Sequence, residues 1–261
     1  MAFCHEAHIV PQSLGGKLIC TNVCDSCNAS FGRKNSGRPA IEEVLKETFG
    51  ITRMMFLLAQ NLMGKNKPGK RFSSTYFKVD MEKRLISTKA SWRLQPGFQR
   101  DLSTLFRRGI YKMFLEAVEA DSGTARDAKY DFIREFARYG LGDYPVFYFL
   151  RRLGVVLILN DHIEHPELLL SKYRMKYLLD NGSFLEFELL GHVFGIPTSR
   201  RSDLVAEQYF GQTHVMKKDL FCGVINVEFF NDVDLPLNML KEDGGYERWI
   251  ASNYGRRLRR F

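Results

Sequence analysis

Residues 4–32 read CHEAHIVPQSLGGKLICTNVCDSCNASFG, and this stretch decides how the rest of the chain is interpreted. Residues 5–11 form a short run with β-branched Ile9 and Val10, closed by Pro11, which has no backbone N–H to donate to a ladder. Ser13-Leu14-Gly15-Gly16 is a turn signal, and Lys17 to Cys20 suits a second strand. Cys24 to Phe31 opens a short helix, with Asp25 or Ser26 near its start. The order predicted is strand, turn, strand, helix: a ββα unit.

Four of the five cysteines, Cys4, Cys20, Cys24 and Cys27, fall inside this stretch, and Cys222 stands alone. Clustered cysteines with CxxC spacing read as metal binding rather than as a disulfide framework. His8 sits at the end of a strand just before a Gly-Gly turn, so a titratable group is presented at a fixed place. A lone histidine is usually a satisfied core or turn residue. Here Asn22 and Cys24-Asp25-Ser26-Cys27-Asn28 follow it in order, and the ordered combination is more specific than any of its parts.

Glu6-Ala7-His8-Ile9-Val10-Pro11, Gly15-Gly16, Asn22, Cys24-x-x-Cys27-Asn28 and Phe31-Gly32 together resemble the HNH nuclease superfamily, in particular its stand-alone bacterial and phage branch. The resemblance implies a ββα-metal module that hydrolyses DNA phosphodiester bonds. It implies His8 as general base, since a neutral imidazole can take a proton from water near neutral pH. Asn22 would brace the strand-turn-strand loop and orient His8. Asn28 matches a position that often ligates metal, and a single Mg²⁺ or Mn²⁺ is the implied ion.

Two positions depart from the pattern. The residue before the base is usually an Asp or His ligand and here is Ala7; Glu6 or His5 would have to substitute, although Glu6 and Ala7 face opposite ways on a strand. Related proteins also place a CxxC pair upstream, completing a structural zinc site with the later one. In this chain Cys24 and Cys27 have knuckle spacing, and Cys4 with Cys20 or His5 would complete four Zn²⁺ ligands. Buried free cysteines are an equally weighted alternative.

Beyond Gly37 the pattern changes. Asn35 to Pro39 reads as a linker, and Ile41 to Leu62 as a helix with Glu42, Glu43 and Lys46 on its polar face. Ser74 to Val79 and Arg84 to Trp92 read as strands. Gln99 to Ala120 is the clearest helix, with Leu102, Leu105, Phe106, Met113, Phe114 and Ala117 on one face. Ala125 to Tyr139 is another, stopped by Gly140. Strand-like runs follow at Val146–Phe149, Gly154–Leu159, Leu185–Leu190 and His192–Ile196, then a polar segment from Thr198 to Gln208. Asp161-His162-Ile163 copies part of the first motif without the residues that should follow, and reads as a solvated turn. The fold class expected is α+β: a small metal-binding module over 1–38 packed on a larger mixed domain over 39–261, whose role would be substrate positioning or partner sensing.

The charge is +8 with an isoelectric point near 9.2, which favours an anionic partner such as DNA. The basic loop carrying Lys65, Lys67, Lys70 and Arg71 is the first choice for phosphate contact, ahead of the Arg107-Arg108, Arg151-Arg152 and Arg200-Arg201 pairs. Apolar runs are too short to cross a bilayer, and no basic region precedes an apolar run at the N-terminus, so a cytoplasmic protein is expected. A homodimer would suit a double-strand cutter, although no heptad pattern supports one, and stand-alone members belong to mobile elements or defence. Two other readings are a catalytically degenerate nucleic-acid-binding protein derived from a nuclease, and a zinc-knuckle module that binds another protein.

Overall fold

Periodicity places the longest helix where the apolar stripe is cleanest. In the computed structural model, α3 runs over Pro96–Ser122, longer than the stripe because Pro96 is tolerated in the first helical turn. The structure describes residues 2–35, 37–59, 73–80, 85–151, 163–170, 183–215, 221–233 and 259–260. Preceding α3 are β1 (Ala7–His8), β2 (Ile19–Cys20), α1 (Asp25–Gly32), α2 (Ile41–Ala59), β3 (Phe77–Asp80) and β4 (Leu85–Thr88). Following it are α4 (Asp131–Tyr139), β5 (Phe147–Arg151), β6 (Leu169–Leu170), β7 (Phe184–Leu189), β8 (His192–Pro197), α5 (Ser202–Val215), β9 (Phe221–Asn226) and β10 (Arg259–Arg260). The class is α+β. Among the described residues, no helix is long and apolar enough to cross a membrane.

Leu102, Phe106, Ile110, Met113 and Phe114 of α3 are buried against Val44, Leu45 and Phe49 of α2 and Phe132, Ile133 and Phe136 of α4. A five-stranded sheet, ordered β6-β7-β8-β5-β9 and antiparallel at every pairing, lies over these helices. Alternation along its strands separates two faces. Tyr148, Phe187 and Phe194 join the helical core, where Phe194 meets Phe49 edge-on at 5.9 Å. Phe149, Phe184 and Val193 turn the other way onto α5, where Tyr209 stacks on Phe184 at 3.9 Å. β7 and β8 are joined by Leu190 and Gly191, both at positive φ (51° and 79°); this is the two-residue turn that matches strand twist.

Three expectations change in detail. The polar segment after Thr198 contains α5, because a narrow face of Val205, Ala206 and Tyr209 finds the sheet to pack on. The helix expected from Ala125 begins only at Asp131, after a 3-10 turn at Ala128–Tyr130. The turn at Ile163 is not solvated: Ile163 belongs to the core, and Arg53 of α2 donates to the carbonyl oxygens of Ile163 and Glu164. The strand expected at Gly154–Leu159 lies outside the described residues.

The N-terminal ββα unit does not carry a separate core. Val10, Leu14 and Phe31 join the main apolar cluster, while Ile9 and Cys20 pack with Ala117 on α3. Residues 2–32 therefore form a cap on α2 and α3, held by the same apolar burial that stabilises the larger domain.

Candidate active site

Pro11 ends the first strand early, so β1 is only Ala7–His8, pairing antiparallel with Cys20 and Ile19. One further bond, from the Ile9 N–H to the Leu18 carbonyl at 3.0 Å, extends the ribbon. The chain then makes a 3-10 turn over Gln12–Leu14, and Gly15 closes it at φ 89°. Gly16 is required for a different reason: a Cβ there would lie 1.9 Å from the Val10 carbonyl oxygen. The returning strand can approach β1 only without a side chain at this point. His165 Nδ1 lies 3.3 Å from the Gly15 carbonyl, so the segment after Ile163 closes over the turn.

Period-two alternation sends successive β1 side chains to opposite sides. Ala7 is fully buried, while the Glu6 side chain is 70% exposed and reaches within 4.0 Å of His8 Nε2. His8 Nδ1 is buried and has no hydrogen-bond partner within the protein. A cleft of about 380 Å³ opens in front of it, lined by His5, Glu6, His8, Gln12, Asp25, Asn28, Ala29 and Glu42.

Helix α1 supplies the opposite wall. Asn28 donates from Nδ2 to the Glu6 carbonyl at 3.0 Å, which ties the helix to β1. Asp25 accepts the backbone N–H groups of Cys4 and His5 at 2.8 and 2.9 Å, and its Oδ1 lies 3.2 Å from His5 Nδ1. The His5 N–H holds the Asp25 carboxyl below the usual carboxylate range. Asn22 is not in the cleft. It donates to Glu119 Oε1 of α3 at 2.6 Å, and Glu119 also accepts the Ala125 N–H. Asn22 thus anchors the β2–α1 connection to the larger domain.

Beneath His8 lies a charged cluster that sequence reasoning did not connect to it. Lys112 of α3 is 1% exposed, and its Nζ donates to the His8 carbonyl at 2.7 Å. The same ammonium lies 3.0 Å from Glu116 and 3.2 Å from Glu42. Burial works against the Lys112 charge, but the attraction of Glu116 and Glu42 outweighs it and holds its pKa above the ordinary value. Burial pushes the Glu116 carboxyl up to about 7, against the pull of Lys112. Lys112 and Glu116 fall at helical spacing close to the stripe of Leu105 and Ala117, and a charged pair there is a readable sign of a buried network. Glu42 carries no such sign, because its position on a polar helix face is ordinary.

The cysteines do not converge. Cys20 packs in an apolar cluster with Ile9 and Ala117, and burial raises its thiol pKa. Cys4 is exposed, and Cys24 and Cys27 are half-buried free thiols. The Ser26 hydroxyl, 3.3 Å away, and the Cys27 groups bring the Cys24 thiol down to about 7. Among the described residues no three His, Cys, Asp or Glu side chains gather around one point. The tetrahedral zinc set expected from Cys4, Cys20, Cys24 and Cys27 is therefore not assembled. His5, Glu6, His8, Asp25, Asn28 and Glu42 line one open cleft, but here too no three of the His, Asp and Glu side chains meet around one point.

Of the residues predicted for the site, His5, Glu6, His8 and Asn28 line the cleft, and the cysteines and Asn22 do not. Asp25, Gln12 and Glu42 are additions. Lys65, Lys67, Lys70 and Arg71 lie outside the described residues. Arg107 and Arg108 are engaged internally, with Asp143 and the Tyr144 carbonyl and with the Ala137 and Arg138 carbonyls respectively.

Residues 2–38 match the model of a family described as HNH endonuclease. Comparison of the chain with curated proteins and with solved structures gives no match. The matched residues are those that build β1, the Gly-Gly turn, β2 and α1, so over this N-terminal segment the chain is similar to HNH endonucleases.

Proposed function

We propose that the cleft is the reaction centre of a divalent-metal-dependent endonuclease that hydrolyses DNA phosphodiester bonds. The observation that carries this reading is the charge of the cleft. Glu6, Asp25 and Glu42 border the space in front of His8, so a phosphodiester would meet several carboxylates there. In this reading a divalent cation held by Glu6, His5 and Asn28 would offset that charge and let a phosphate approach.

His8 is the general base in this reading. Its ring borders the cleft, and its backbone is fixed by the Lys112 bond, so the imidazole is presented from a rigid strand end. Glu6 lies beside the ring, 4.0 Å from Nε2. Glu6, His5 and Asn28 are the candidate holders of Mg²⁺ or Mn²⁺. When bound, the ion supplies charge stabilisation at the phosphate and the leaving 3′-oxygen. Asn22 acts at one remove, by holding the β2–α1 connection on Glu119. The basic loop with Lys65, Lys67, Lys70 and Arg71 remains the proposed DNA contact.

Ala7 favours a second reading. With a buried methyl group next to His8, the module would bind nucleic acid without cutting it. Plasmid cleavage by wild type and His8→Ala, in Mg²⁺, Mn²⁺ and EDTA, decides between them. The nuclease reading requires nicking by wild type that EDTA abolishes and His8→Ala loses. Salt-sensitive DNA binding equal in both proteins, without nicking, supports the degenerate binder.

A further inference from the structure

Lys112 does not line the cleft, yet its ammonium touches each element that builds it. Nζ donates to the His8 carbonyl of β1 at 2.7 Å. It lies over the Phe31 ring of α1, 5.8 Å from the centroid. It also pairs with Glu42 of α2 at 3.2 Å and with Glu116 of its own helix at 3.0 Å. β1 brings His8 to the cleft, α1 brings Asn28 and Ala29 of the facing wall, and α2 brings Glu42. One buried group thus holds the cleft together from behind.

Stability alone does not call for a charge at this place. Apolar side chains of similar volume commonly replace a buried ion pair without loss, and Tyr111, Met113 and Phe114 show that this part of α3 is already packed in the core. What an apolar side chain at 112 could not supply is direction: an ammonium has three donors, and here one of them is spent on the main chain of His8. The position of that main chain limits where the imidazole can reach, and a misplacement of about 1 Å is enough to slow a reaction a hundredfold. We propose that Lys112 is a positioning residue for His8, fixing β1 against α1 so that the imidazole is presented to the cleft at one distance. Lys112 lies far outside residues 2–38, the segment that matches the endonuclease family, so the larger domain completes the site by setting its geometry. This deepens the nuclease reading and rests on it.

The test compares the full chain as wild type, as Glu116→Leu, and as Glu116→Leu combined with Lys112→Met. Four quantities are read: single-turnover plasmid nicking in Mn²⁺, DNA affinity in EDTA, thermal unfolding, and the ring NMR signals of His8, identified by their absence in His8→Ala. Glu116→Leu keeps the ammonium with Glu42 as its counter-ion, so it is the reference for loss of Lys112 alone. The double variant should unfold near wild type and bind DNA as the reference does, because Lys112 is buried away from substrate. Its nicking should fall about tenfold or more below the reference, and its His8 ring signals should move. Unchanged nicking in a folded double variant, or slower nicking with unmoved His8 signals, overturns the proposal. Lys112→Gln with Glu116→Leu, whose amide stops one bond short of the ammonium, carries the same comparison if the Met variant does not fold. If wild type itself does not nick, the nuclease reading fails separately. The His8 ring signals then decide whether Lys112 sets the strand, which stands if they shift and falls if they do not.

Discussion

Lys112 Nζ donates to the main-chain carbonyl of His8 across 104 positions of sequence, at 2.7 Å. A buried ammonium from the central helix thus holds the strand that carries the candidate base. The module and the larger domain are joined by charge as well as by apolar packing, and perturbing α3 should be felt at His8.

Lys112→Met leaves Glu42 and Glu116 without their shared cation. Removing one partner of a buried pair costs about 3–5 kcal/mol, and urea unfolding should show a loss of that size. Adding Glu116→Leu removes the buried carboxyl left without its partner, so the double variant should recover most of the loss. A Lys112→Met protein as stable as wild type would mean that the cluster contributes little.

Glu116 gives stability a definite pH dependence. Its carboxyl titrates at about 7 in the folded protein against an ordinary value of 4.5. Between those values the folded state keeps a proton that the unfolded chain has released. The contribution is fully present below about 4.5 and is lost as pH rises through about 7. Relative to wild type, Glu116→Gln should therefore gain stability as pH rises from 4.5 through 7, on the order of 3 kcal/mol. Parallel stability curves for the two proteins would contradict the raised pKa.

The cysteines should differ in reactivity by position. Cys24, with its thiol lowered to about 7, is largely thiolate at pH 7.5, whereas Cys20 is buried and raised. Timed alkylation with iodoacetamide, followed by mass spectrometry, should label Cys24 well before Cys20. Added Zn²⁺ should leave the labelling of Cys20 unchanged, because Cys20 does not share a site with the other thiols; protection of all four cysteines together would show that a four-thiolate site forms.

Gly16 tests the close approach of the two strands. The Gly16→Ala methyl group would meet the Val10 carbonyl oxygen at 1.9 Å, and backbone on both sides leaves no flexible neighbour to yield. A destabilisation of about 1–3 kcal/mol or more is expected, with nicking lost in parallel because β1 carries His8. An Ala variant with wild-type stability and activity would show that the ribbon adjusts freely.

What the sequence by itself determined is local. Pro11, the Gly15-Gly16 turn and the start of α1 at Asp25 set the order of the ββα unit, because each is decided by backbone geometry within a few residues. The stripe from Leu102 to Ala117 likewise determined α3, since helical periodicity is a property of neighbouring positions. Only the tertiary structure decided which polar groups meet. It sent Cys20 into an apolar cluster, joined Asn22 to Glu119, and brought Glu42 and Lys112 to His8 from helices outside the motif. Those pairings follow from how α2 and α3 pack beneath β1, and packing is selected by the sum of buried apolar contacts across the chain. A spacing motif contains no term for that sum, so the inner half of the site became visible only when the helices were in place.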